Sequence, residues 1–191
     1  MTNSSQKTLS YIYAAIVVLV IVSITKRITT PSNYDIIITN GEVIDGSGSS
    51  SVYKDVGIIG NKIHKIGNLS SAESERYIDA EGLVVSPGFI DVHVHLDPIL
   101  RLSNSESHVR QGVTTSLGGP DGTSPWPFGE FLDTLSQVGV GMNVAYLVGH
   151  NTVRRNVMGL ENRAPSEEEL NEMERQISTG MDEGAYGIST G

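Results

Sequence analysis

Apolar and polar positions alternate in three different ways along the chain. From Leu9 to Ile24 the run LSYIYAAIVVLVIVSI carries no charge, with Lys7 before it and Lys26 and Arg27 after it. As a helix this run spans about 24 Å, short against a bilayer core of about 30 Å, and it reaches further with Thr8 and Thr25. Three readings stay open for residues 1–25: a cleaved signal peptide, an uncleaved membrane anchor, or an apolar element of a soluble fold. No small-x-small cleavage site is evident. An exported or membrane-anchored protein, held through residues 8–25, is the expectation. The near-balanced flanking charges leave the side of the membrane open. Residues 26–33 (KRITTPSN) form a polar linker with a proline breaker.

From Tyr34 short apolar runs alternate with turn residues. Tyr34–Ile44 predicts two strands around Asn40-Gly41, a dipeptide that favours positive φ and hairpins. Val52–Lys65 repeats the scheme around Gly60-Asn61, and Tyr77–Val85 around Glu81-Gly82. Residues 34–87 are thus expected to form a small antiparallel β unit, with 69–76 as its polar loop.

After Pro87 the period changes again. Strands are predicted over Phe89–His95, Val113–Leu117, Met142–Val148 and Ala185–Ser189. Helices are predicted around Glu106–Gln111, over Glu130–Gln137, and from the capping box Ser166-Glu167-Glu168-Glu169 to about Asp182. Strands alternating with helices imply βα units and a parallel sheet, an α/β class. Four such strands over 88–191 leave a sheet that expects more cover.

Composition narrows the chemistry. Thirteen basic against 22 acidic residues give a net charge of −9, which argues against nucleic acid as a partner. With no cysteine in the chain, a disulfide framework and a thiolate metal site are both excluded, so any metal must be held by His, Asp or Glu. The sequence sets no oligomeric state.

His93-Val94-His95 is the sharpest candidate. Alternate residues of a strand face the same side, about 6 to 7 Å apart in rise, and the C-terminal strand ends of βα barrels carry active sites. Two half-exposed strand histidines with no metal are the plain alternative.

At this point the chain resembles a family. Pro87-Gly88-Phe89-Ile90-Asp91-Val92-His93-Val94-His95 resembles the signature of the amidohydrolase superfamily. Gln111–Thr115, Gly149–Arg154, Val157–Gly159 and Gly184–Gly191 are similar to the N-acyl-D-amino-acid deacylase branch. The resemblance covers residues 34–191. It implies the first half of a (β/α)8 TIM-like barrel over 88–191, a small β-sandwich part over 34–87, and zinc on His93 and His95. Where the family carries a Cys after the second strand, counting from Gly112-Val113-Thr114-Thr115 puts Asp121. A carboxylate can ligate zinc, and being harder than thiolate it would also accept Mn or Co. Pro120-Asp121-Gly122 is equally a turn for backbone reasons alone.

Other candidates are weighed against plainer roles. Asp97 either orients a histidine or is a solvated loop acid. Asp91 is expected to make a structural hydrogen bond near the barrel floor or the domain boundary rather than to take part in the chemistry. His150, at the end of the third strand, faces the pocket mouth or is structural. Arg154 and Arg155 either meet a substrate carboxylate or open a helix in solvent. Ser189 is expected to line the pocket, and His64 and His108 are assigned to structure.

The resemblance further implies two histidines and a general-base Asp on later strands, expected beyond residue 191. No catalytic residue is therefore assigned within the chain. The implied reaction is metal-dependent hydrolysis of a small N-acyl-D-amino acid to a carboxylate and a D-amino acid. Two rivals stand beside it: a cyclic-amide hydrolase of dihydroorotase or hydantoinase type, and a non-catalytic, membrane-anchored remnant. The first needs a carboxylated lysine on the fourth strand, and no lysine follows Lys65.

Overall fold

The computed structural model describes residues 33–191, so the apolar run from Leu9 to Ile24 lies outside the described residues. No helix among the described residues is long and apolar enough to cross a membrane. The chain divides into two compact units between Pro87 and Gly88.

The first unit holds two small sheets. One has the order β5-β4-β1-β6, from β1 (Asn33–Thr39), β4 (Asp55–Ile59), β5 (Lys62–Gly67) and β6 (Glu73–Asp79). The other has the order β3-β2-β7, from β2 (Glu42–Val43), β3 (Val52–Tyr53) and β7 (Val84–Val85). Gly60 takes φ 58° between β4 and β5, which pair antiparallel as the expected hairpin.

The other two expected hairpins are not formed. Asn40 does adopt positive φ, at 61°, but β1 and β2 then run into different sheets. β1 pairs with β6 in parallel, and β2 pairs with β7 in parallel. The two turns stack on each other: Ala80 N donates to Thr39 O at 2.9 Å, Glu42 N to Leu83 O at 3.0 Å, and Asn40 Nδ2 to Asp79 Oδ1 at 2.9 Å. Each turn therefore acts as a corner that passes a strand pair between sheets. The unit is mixed rather than antiparallel, and β6 takes up part of the expected 69–76 loop. Tyr34, Ile37 and Leu69 are its buried centre.

The second unit is α/β. β8 (Phe89–Asp91), β9 (Val113–Gly118) and β10 (Asn143–Tyr146) pair in parallel, and β11 (Val148–Gly149) pairs in parallel with β12 (Ile188–Ser189). The expected third strand is split at Leu147, whose N–H turns to Gly118 O at 3.0 Å. Adjacent strands thus follow in chain order, with no closed barrel among the described residues. Around them lie α1 (Glu106–Val109), α2 (Phe128–Val138), α3 (His150–Met158) and α4 (Glu167–Asp182).

Two differences bear on the site. The first strand ends at Asp91, so His93 and His95 stand on the segment just beyond it. The helix α3 starts at His150 itself, directly after Gly149. The core is one cluster built from the helices and strands together. Phe128 and Leu135 come from α2, Val153 and Met158 from α3, and Met173 from α4; all are buried with Tyr146 and Val148. At the start of α4 the capping box forms as expected: Glu169 N donates to Ser166 Oγ at 3.3 Å, and Ser166 N to a Glu169 carboxylate oxygen at 2.8 Å.

Candidate metal centre

Parallel pairing of β8 with β9 puts the loops that follow them side by side. After β8, the Asp91 carboxylate accepts the His93 N–H at 3.1 Å, an Asx turn that ends the strand. The structural hydrogen bond expected of Asp91 is there, at the strand's outgoing end. Past that turn His93 and His95 converge. Their ring centroids are 6.3 Å apart, with planes at 77°. Strand parity is not what aligns them, because the ladder has already ended; the loop does.

The loop after β9 brings Asp121. Gly119 is at φ 75°, and a methyl there would lie 2.5 Å from the Leu147 carbonyl oxygen, so only glycine fits. Asp121 itself has φ 54°, a left-handed conformation in which Asp and Asn are enriched among non-glycine residues. Asp121 Oδ2 lies 3.3 Å from His93 Nε2 and 3.2 Å from His95 Nε2. Ligand atoms from all three residues fall within 4.8 Å of one another. Their side chains are 64%, 61% and 54% exposed, so the group is open to a ligand and to solvent. Asp121 is therefore a turn residue whose carboxylate lies beside both imidazoles.

The remaining sequence candidates divide. Asp97 and His95 share a cavity of about 210 Å³, walled by Pro120, Ser124, Phe131 and Tyr146. Tyr146 is 3% exposed, and its hydroxyl has no hydrogen-bond partner among the described residues. Burial, helped by the negative charge of Asp97, pushes the phenol's pKa upward. Directly across the ladder stands Gly118, where a methyl would be 2.6 Å from Tyr146 Cε1. His108 lines a second cavity of about 300 Å³ on another side of His95, although its sequence gave it only a structural role. His150 is half-buried in the first turn of α3 and is not one of the three clustered donors. Arg154 is committed elsewhere: its guanidinium donates to Glu161 O at 2.8 Å and Arg163 O at 3.0 Å. A substrate carboxylate would have to compete with those carbonyls.

Ser189 does not simply line a pocket. Its hydroxyl donates to Gly119 O at 2.6 Å and accepts from Gly122 N at 3.1 Å. Ser124 and Thr152 were missed by sequence reasoning. Ser124 N donates to Thr152 Oγ1 at 3.0 Å, Thr152 Oγ1 to Ser124 O at 3.0 Å, and Gly149 N to Ser124 Oγ at 3.0 Å, all buried. The only signal available was a run of small polar residues just after predicted strand ends.

Residues 76–191 match the amidohydrolase family. The chain belongs to that family. It is 36% identical over 182 residues to the D-aminoacylase of Alcaligenes xylosoxydans xylosoxydans, covering 83% of this chain and 38% of that protein. A solved D-aminoacylase with a binuclear metal centre superposes with a TM-score of 0.79 at 35% identity, over 83% of this chain and 38% of that one. The N-acyl-D-glutamate deacylase of Bordetella bronchiseptica, solved with zinc and a phosphonate inhibitor, gives a TM-score of 0.79 at 31% identity over the same shares. The chain thus spans less than two-fifths of the length of these relatives. Similarity to dihydroorotase is confined to a shorter stretch, 45% identity over 89 residues and 43% of this chain for the Clostridioides difficile protein.

Proposed function

We propose that the chain supplies the first four strands of a (β/α)8 amidohydrolase barrel, with half of a metal site, for hydrolysis of N-acyl-D-amino acids. The observation that carries this reading is the convergence of His93, His95 and Asp121 within 4.8 Å at the outgoing ends of two adjacent parallel strands. Its setting is a chain whose relatives include a D-aminoacylase over most of its length.

The donor set suits a divalent cation. Two imidazoles and one carboxylate are borderline-to-hard ligands that favour zinc and also accept Mn or Co. Such an ion, when bound, polarises an amide carbonyl and makes water a better nucleophile at neutral pH. This chain's own residues hold and orient. His93 and His95 offer Nε2, and Asp121 offers Oδ2 from the turn after β9. The cavity beside His95 has apolar walls from Pro120 and Phe131 and polar groups from Asp97 and Ser124, a mixture suited to a small acylated amino acid. The proton-transferring Asp and the remaining histidines belong to later strands in this reading. A cyclic-amide hydrolase is disfavoured because the chain has no lysine after Lys65 to bridge metals. The uncharged run within residues 8–25 supports export or anchoring to a membrane.

The test is release of D-amino acid from N-acetyl-D-amino acids with zinc, using the continuous protein that carries the later strands; the 191-residue chain, with half of the metal site and without the proton-transferring Asp in this reading, is expected to show no turnover. N-acetyl-L-amino acids and a cyclic amide serve as comparison substrates. His93→Ala and His95→Ala are each expected to abolish metal-dependent turnover. Turnover of the cyclic amide alone, or variants as active as the parent, would overturn the reading.

A further inference from the structure

The Gly119–Gly122 turn is held from outside at both ends. Gly119 O and Gly122 N, the groups flanking Pro120 and Asp121, meet one atom, the hydroxyl oxygen of Ser189. A serine hydroxyl has one hydrogen to donate and lone pairs to accept, so both bonds are satisfied at once. Ser189 comes from β12, the fourth strand of the unit, about 70 residues further along the chain. Its backbone is fixed in turn by parallel pairing with Gly149. Two further bonds seat the turn from α3: Thr152 N donates to Gly122 O at 3.1 Å, and Asn151 Nδ2 reaches Asp121 O at 3.4 Å.

We infer that Ser189 is a positioning residue for Asp121: its hydroxyl closes the turn so that Oδ2 is presented to the ion shared with His93 and His95. This rests on the metal reading above. The physical argument is one of ordering. Asp121 is exposed and at positive φ, in a turn whose other residues, Gly119, Pro120 and Gly122, are buried, with both glycines also at positive φ. A non-glycine residue seldom adopts that conformation, so holding Asp121 there has an entropic cost. Without the bridge, metal binding must supply that ordering. With it, the carboxylate is already aimed. The strand that carries Ser189 thereby contributes to a metal site to which it lends no ligand.

The experiment uses the 191-residue chain and Co²⁺ or Zn²⁺, with affinity measured by titration against a chelator. Ser189→Ala removes both bonds and is expected to weaken binding about tenfold or more, as loss of groups that orient ligands does. Ser189→Thr keeps donor and acceptor and is expected to restore affinity to near the parent. A double-mutant cycle separates positioning from general damage: in an Asp121→Asn background, Ser189→Ala should cost little further. In the metal-free chain, Ser189→Ala should speed hydrogen exchange at the Gly122 amide while α4 amides stay as protected as in the parent. If the parent binds metal in a manner that depends on His93 and Asp121, and Ser189→Ala binds equally well, the positioning role is overturned while the metal site stands. A Ser189→Ala loss of the same size with Asp121→Asn present would also overturn it. If the parent binds no divalent ion, or His93→Ala binds as the parent does, both the metal reading and this inference fall together.

Discussion

Asp121 combines a backbone conformation and an electrostatic position that can be separated by substitution. Asparagine tolerates the left-handed region as well as aspartate does, so Asp121→Asn should leave the turn intact while removing the charge beside His93 and His95. Metal affinity is expected to fall at least about tenfold, or 1.4 kcal/mol, with an unchanged melting temperature in the absence of metal. Asp121→Cys should recover retention and favour zinc, because a thiolate is softer than a carboxylate. Equal metal retention in Asp121→Asn would make Asp121 a turn residue only. Tyr146 offers a second residue-scale test, on stability. Its hydroxyl is buried and unpartnered among the described residues, and such a group costs about 1 to 3 kcal/mol. Tyr146→Phe is therefore expected to raise stability by about 1 kcal/mol in denaturant unfolding. A loss would mean that the hydroxyl is paired in solution.

At the level of elements, the start of α4 carries a pH dependence with a definite sign. Arg163 holds both carboxylate oxygens of Glu169 at 2.6 Å, and the Ser166 N–H adds to it, which lowers the Glu169 pKa from its ordinary 4.5 to about 2. A depressed folded-state value means that the contribution is complete above the ordinary pKa and is lost as pH falls from about 4.5 to about 2. Exposure and salt reduce its size. Gln at position 169 can still complete the capping box but cannot titrate. Melting of Glu169→Gln should therefore depend less on pH than the parent between pH 5 and 2, with the two converging at the acid end; parallel curves would refute the assignment. Local signals of this sort were the legible part of the fold. The Ser166 box and the Gly60-Asn61 hairpin involve partners a few residues apart, and both formed as read. Asn40-Gly41 and Glu81-Gly82 gave the right turns but the wrong pairings, since the strands they join find parallel partners about 40 residues away. The candidate site divides in the same way. His93 and His95 stand out as a short motif, and Asp121 comes from the family resemblance, which has a Cys at that position. Ser124, Thr152 and the bridging hydroxyl of Ser189 acquire their roles only when distant strands are side by side.

For the whole molecule, the amidohydrolase match and a sequence segment of different character share one chain. Residues 76–191 carry the amidohydrolase match, whereas Leu9–Ile24 is uncharged and flanked by Lys7, Lys26 and Arg27. An acidic chain with net charge −9 has little electrostatic attraction to anionic lipid, so any membrane association must come from the apolar run. As a helix that run would reach about 24 Å, against a bilayer core of about 30 Å, and we propose that it engages the export machinery. A reporter that is active only outside the cytoplasm, fused after Asn33, is expected to be active, and two changes tell why. Replacing Val17 and Leu19 with Arg places two charges at the centre of the run, where each costs about 2.5 to 3.5 kcal/mol on insertion scales, and should silence the reporter. Replacing Lys26 and Arg27 with Gln leaves the apolar length intact and should preserve its activity, because the length, not the flanking charge, drives engagement. Membrane retention after alkaline wash would then distinguish an anchor from a cleaved signal. An inactive reporter in the parent fusion, with the fusion protein recovered intact from the cytoplasm, would return Leu9–Ile24 to the remaining reading, an apolar element packed within the fold.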